Sequence, residues 1–62
     1  MQTFTFQQVQ RGYWGESLLA KKITINAETS DAAHDAVMLR SDAWRQLKNG
    51  DTTSWRLIDS AA

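Results

Sequence analysis

The stretch Arg11-Gly12-Tyr13-Trp14-Gly15 holds the residue types best suited to chemistry with another molecule. A turn tip ordinarily uses Asn, Asp or Ser, which bond to the local backbone and tolerate unusual dihedrals. Tyr and Trp instead bring large apolar area with a polar edge, and together with Arg they dominate the energetics of binding surfaces. Two readings follow. The rings cover the open end of a small core, or they are anchors for a partner. A second set, Lys21 or Lys22 with Arg11 and Arg56 near Trp14 and Trp55, has the basic and aromatic mixture used on single-stranded nucleic acid. So few cations neutralise few phosphates, so such binding would be weak and salt-sensitive.

Catalytic chemistry has little to work with. The chain has no cysteine and one histidine, which removes thiol nucleophiles, thiolate zinc sites and an imidazole metal cluster. No G-x-S-x-G, P-loop, G-x-G-x-x-G or H-E-x-x-H pattern occurs. His34 beside Asp35 or Asp31 suggests an acid-base pair, but sequence neighbours on a helix point about 100° apart and cannot orient each other. We therefore expect a protein that is not an enzyme and uses no cofactor or metal. Seven Lys plus Arg balance seven Asp plus Glu, so no net field draws it to nucleic acid or to an anionic membrane. The polar start at Met1-Gln2-Thr3 and the lack of any apolar run near ~20 residues predict no export signal and no membrane span, hence a cytoplasmic protein.

The elements that must position these residues are cut out by three glycines in a chain without proline. With 62 residues there is room for one core and one domain, residues 1–62. Thr3 to Arg11 reads as a strand with Phe4 and Phe6 on one face. Val9 breaks that alternation, through either a bulge near Gln7 and Gln8 or a turn to the other face, and the bulge is the preferred reading. Leu18 to Ala27 alternates Leu19, Ile23, Ile25 and Ala27 against Lys22, Thr24 and Asn26, a half-buried strand. The link Gly12 to Glu16 closes a hairpin between them.

Ser30 is the expected N-cap of a helix reaching Lys48, stopped by Asn49-Gly50. Wound at 3.6 residues per turn, Ala32, Ala33, Ala36, Val37, Leu39, Ala43, Trp44 and Leu47 form its core face, and Asp31, Asp35 and Asp42 an acidic outer stripe. That stripe is a solvated face or a weak phosphate mimic. Arg40 falls within the apolar arc. Either its stem lies along the surface, or the helix breaks at Arg40-Ser41-Asp42 with Ser41 recapping, or Arg40 pairs across an interface with Asp59 or Glu28. Ser54 to Asp59 is a last short strand. The expected fold is α+β: a two-layer ββαβ domain with a three-stranded, mostly antiparallel sheet of order 2-1-3 and one helix on one face.

The run Phe4-Thr5-Phe6-Gln7-Gln8-Val9-Gln10, followed by Lys21 to Val37 with its junction Ile23-Thr24-Ile25-Asn26-Ala27-Glu28-Thr29-Ser30, resembles small phage and mobile-element accessory proteins of the DpnD/PcfM-like family. The likeness covers about half of the chain; the aromatic loop and the longer helix with Trp44 depart from it. It implies a small cytoplasmic accessory protein and brings no catalytic residues.

The expected function is a protein-binding module, in a phage setting an inhibitor or modulator of a host machine, contacting its partner through Arg11, Tyr13, Trp14, Lys22 and Arg56. The alternatives are a weak nucleic-acid binder using the open sheet face, and a subunit that associates with itself as a homodimer.

Overall fold

The computed structural model describes residues 1–61. In chain order it has β1 (Gln2–Gly12), β2 (Gly15–Ala27), α1 (Ser30–Met38), β3 (Arg45–Gln46) and β4 (Thr52–Ala61). All four strands belong to one sheet of order β2-β1-β4-β3, and every neighbouring pair is antiparallel. The expected three-stranded sheet of order 2-1-3 under a long helix is thus corrected: there are four strands, and the helix has 9 residues.

The helix starts one residue earlier in its capping than expected. Thr29 is the N-cap, its Oγ1 accepting from the Ala32 N–H at 3.1 Å, and Ser30 is the first helical residue. Its end lies far before Lys48, at Met38 with Leu39 as C-cap, just ahead of Arg40-Ser41-Asp42. Arg40 Nε and Nη2 donate to the Asp42 carboxylate at 2.8 and 3.2 Å, and the Arg40 N–H donates to Val37 O, a tightened last turn. The carbonyl of Asp42 accepts instead from the indole N–H of Trp55 at 2.9 Å. Helix propensity is a small preference per residue, and this tertiary bond together with the β3–β4 ladder outweighs it. Ser41 starts no second helix.

The buried cluster joins Phe4 and Phe6 of β1 and Ala27 at the end of β2 to Ala33 and Val37 of α1, flanked by Ile23, Ile25, Trp55 and Leu57. Phe6 is completely buried, which stabilises the fold by roughly 1.5–3 kcal/mol relative to exposure. Of the expected helical core face, Ala33, Val37 and Ala43 are buried, while Leu39 and Trp44 are exposed because the helix has ended before them. His34 is exposed yet sets the edge of its ring on Phe6, centroids 5.3 Å apart, and its Nδ1 lies 2.9 Å from Ser30 O.

The β1–β2 ladder breaks between Gln7 and Val9, at the place expected for a bulge, but the extra residues, Leu19 to Lys21, are on β2 and do not turn Val9 onto the Phe6 face; Gln7 Nε2 donates to the freed Leu19 carbonyl at 2.7 Å. The β1–β4 ladder runs unbroken from Phe6 to Arg11, so alternation keeps Val9 on the face opposite Phe6. Val9 is buried outside the main cluster. A second bulge leaves Ile58 unpaired between Leu57 and Asp59. The chain extends 39 × 19 × 15 Å, and its short helix covers only the Phe4–Phe6 end of the sheet, which leaves the other end of the β1–β2 hairpin reaching away from the core.

Candidate contact site at the hairpin tip

Gly12 and Gly15 are the last pair of the β1–β2 ladder, so Tyr13 and Trp14 form a two-residue tip. Such short loops need positive φ somewhere, which β-carbon sterics make costly for large residues. Here Gly15 takes it, with φ of 120°, and among the described residues none other than glycine has positive φ. That division lets two large aromatics occupy the tip without strain.

Both rings stand in solvent, Tyr13 at 90% and Trp14 at 95% of full exposure, so neither covers the core. They meet edge to face, centroids 4.9 Å apart at 88°. At such exposure the contact biases the rings without locking them and adds little to the stability of the fold.

Below the tip, Glu16 joins two of the expected site residues. Its carboxylate accepts from Arg11 Nε at 3.0 Å, also pairs with Arg11 Nη2, and pairs through its other oxygen with Arg56 Nη2. Arg11 lies directly opposite Glu16 in the ladder, and Arg56 comes from β4 opposite Gln7. The carboxylate therefore spans β1 near Val9, and these four residues line one hollow together with His34 of α1 and Ser54, Trp55 and Leu57 of β4. Arg11 first, and then Arg56, hold the Glu16 carboxyl below its ordinary range.

Lys22 sits apart from this group. It pairs with Gln7, which also pairs with Arg56, so Lys22, Gln7 and Arg56 form a row across three strands of the open face. The structure thus brings together Arg11 and Arg56, places Tyr13 and Trp14 one step beyond Arg11, and leaves Lys22 further along the hairpin.

Sequence reasoning missed Glu16 and Asp51. Glu16 was legible in principle, since a tip closed by Gly12 and Gly15 forces Arg11 opposite it. Asp51 gave no local signal, because it acts over a separation of 41 residues. The turn from Leu47 to Asp51 is closed by Leu47 N donating to Asp51 O at 2.7 Å and by Asp51 N donating to Asn49 Oδ1 at 3.0 Å. It lies against β1, where Gln10 Nε2 donates to Asp51 Oδ2 at 2.8 Å. The glycine leaves room for this carboxylate: a β-carbon on Gly12 would come within 2.5 Å of Asp51 Oδ1 and displace it. The two loops enclose an open groove lined by Gln10, Gly12, Tyr13, Trp14, Asn49 and Asp51 among others.

Arg40, placed by periodicity on the core face, instead pairs with Asp42 within the chain and lies 5.9 Å from the Trp55 ring centroid; Lys21 Nζ lies 6.0 Å from the same ring. This pairing also removes Asp42 from the acidic stripe. Arg40 lowers the Asp42 pKa, and Asp42 raises that of Arg40. Among the described residues no group of His and carboxylates is arranged to hold a metal ion, and no helix is long and apolar enough to cross a membrane. No family model, curated protein or solved structure matches the chain.

Proposed function

We propose that this domain is a non-catalytic protein-binding module whose contact surface is the hairpin tip, with Tyr13 and Trp14 as anchors and Arg11 beside them. The observation that carries the reading is their near-complete exposure on a tip whose backbone is fixed by the Gly12–Gly15 closure and braced by the Glu16 ion group. Large aromatics left in water contribute nothing to a monomer's core, whereas burial against a partner yields roughly 1.5–3 kcal/mol per side chain of this kind. The proposed setting is that of a small cytoplasmic accessory protein of phage or mobile-element type, in which such a module would act as an inhibitor or modulator of a host machine.

The test replaces both anchors together, Tyr13→Ser with Trp14→Ser, and follows the melting temperature and capture of a partner from host lysate. Exposed anchors predict an almost unchanged melting temperature and loss of the partner. A variant that captures the same partner as the parent would refute the assignment and move attention to the open face around Lys22 and Arg56.

Binding to single-stranded nucleic acid has less support, because Arg11 and Arg56 share one carboxylate and so offer less positive charge to phosphate. Self-association has one specific observation in its favour. The strand β3 covers only Thr52 and Thr53 of β4, which leaves the outer edge from Ser54 onward without a backbone partner. Open edges of this kind recruit strands from other chains. A homodimer joined there would sediment at twice 7.0 kDa at micromolar concentration, and a monomer at all concentrations would exclude it.

A further inference from the structure

We infer that the groove beside the hairpin tip receives a cationic side chain, a lysine or arginine of the partner, held between the aromatic pair and Asp51. The inference rests on the protein-binding reading above and names what the partner presents there. Three observations converge on it. First, Tyr13 and Trp14 both line the groove, with their rings perpendicular to each other. The negative faces of such rings attract ammonium and guanidinium groups, with Trp the strongest of the aromatic side chains. Second, the residues lining the groove include the acidic Glu16 and Asp51 and no Lys, Arg or His. Third, the two carboxylates differ in what they already hold. Glu16 is neutralised by Arg11 and Arg56, whereas the side chain of Asp51 accepts only from the neutral amides of Gln10, at 2.8 Å, and Asn49, at 3.4 Å. Among the described residues Asp51 is therefore the acidic residue of the groove without a cationic partner.

The positioning of Asp51 is built in. Its backbone closes the Leu47–Asp51 turn, its carboxylate is fixed by Gln10 of β1, and Gly12 has no side chain where that carboxylate lies. An arrangement held by both loops is what a preformed cation site requires, since little ordering then remains to be done on binding.

The experiment titrates the whole chain, 15N-labelled, with three small probes: N-acetyl-lysine amide, its trimethylammonium counterpart, and N-acetyl-norleucine amide as the neutral isostere. The expected result is saturable shifts of the Trp14 indole and of the Gly12 and Asp51 amides with both cations and none with norleucine amide. Trp14→Leu should weaken the cation about two- to five-fold, as an exposed cation–π contact implies, and Asp51→Asn should weaken it while leaving the amide spectrum of the core unchanged. A larger response to the trimethylammonium probe than to lysine would assign the site to methylated lysine, and the reverse to the unmodified side chain. Equal responses to norleucine and lysine amides, or none to any probe, would overturn the inference. Loss of lysate partner in the Tyr13→Ser, Trp14→Ser variant alongside such a flat titration would overturn the cation site alone and leave the protein-binding reading standing.

Discussion

One hairpin carries two pairs of aromatic residues in opposite circumstances. Phe4 and Phe6, near the start of β1, lie under α1 and are 3% and 0% exposed. Tyr13 and Trp14, at the far end, touch only each other among aromatic rings and stand almost entirely in water. Composition does not separate the pairs, because all four are large and aromatic. Reach separates them: a helix of 9 residues covers one end of a sheet whose strands run to 13 residues. Hydrophobic side chains are core only where another element arrives to cover them. Beyond that limit their area is available for association, and an exposed pair on a braced tip differs from a single exposed apolar residue, which is common on any surface.

The largest effects should come from breaking the covered pair. Phe6→Ala removes a fully buried ring and should cost about 3–5 kcal/mol, a large share of the stability of so small a domain. Val37→Asp should unfold the chain outright by burying an unpaired charge against the same cluster. Circular dichroism and thermal melts read both, and cooperative melts close to the parent's would mean that α1 does not hold the sheet. The contrast with the tip is then quantitative, since the double serine change at Tyr13 and Trp14 should leave the melt almost where it was.

A smaller change should sharpen the comparison by strengthening the sheet outside the helix-covered end. Thr53 is buried on β4, and its Oγ1 has no hydrogen-bond partner. An unsatisfied buried hydroxyl costs about 1–3 kcal/mol, and valine keeps the shape without the oxygen. Thr53→Val should therefore stabilise the domain by ~1 kcal/mol, raising the melting temperature by roughly 4–8 °C without altering partner capture. A lowered melting temperature would show that the hydroxyl is bonded in solution.

The hairpin and the start of the helix were legible because their signals are local. Alternation in Ile23, Thr24 and Ile25, the paired glycines around the tip and the Thr29-Ser30 junction each act within a few residues. The helix end was not legible. Ala43, Trp44 and Leu47 keep a helical spacing, and only the bond from Trp55 to the Asp42 carbonyl, across 13 residues, together with the pairing of Arg45 and Gln46 with β4, shows why the chain turns extended there. The short β3 was invisible for the same reason, since two polar residues carry no alternation. At the candidate site, Tyr13 and Trp14 were marked by composition, but their freedom from the core depends on the helix being short, and the role of Asp51 depends on a turn packing against a strand far away in sequence.

The smallest expected effect concerns the brace beneath the tip. Arg11 and Arg56 lower the Glu16 pKa below its ordinary 4.5, so the folded state binds this proton less readily than the unfolded chain does. The group's contribution to stability is therefore fully present above about pH 4.5 and is lost as pH falls through the lowered folded value. Because the three side chains are exposed, the contribution is small and screened by salt. Glu16→Gln should leave the melting temperature at neutral pH nearly unchanged and flatten the part of its acid decline that the parent shows below pH 4.5, most clearly at low ionic strength. Asp42, lowered by Arg40, titrates in the same direction and remains in the variant, so flattening will be partial. The same variant should also loosen the tip, read as increased mobility of the Tyr13 and Trp14 amides with the Phe4 and Phe6 amides unaffected. Parent and variant curves that superimpose across the acid range at low salt would mean that Glu16 does not brace the tip, and that the glycine closure alone holds the aromatic pair in place.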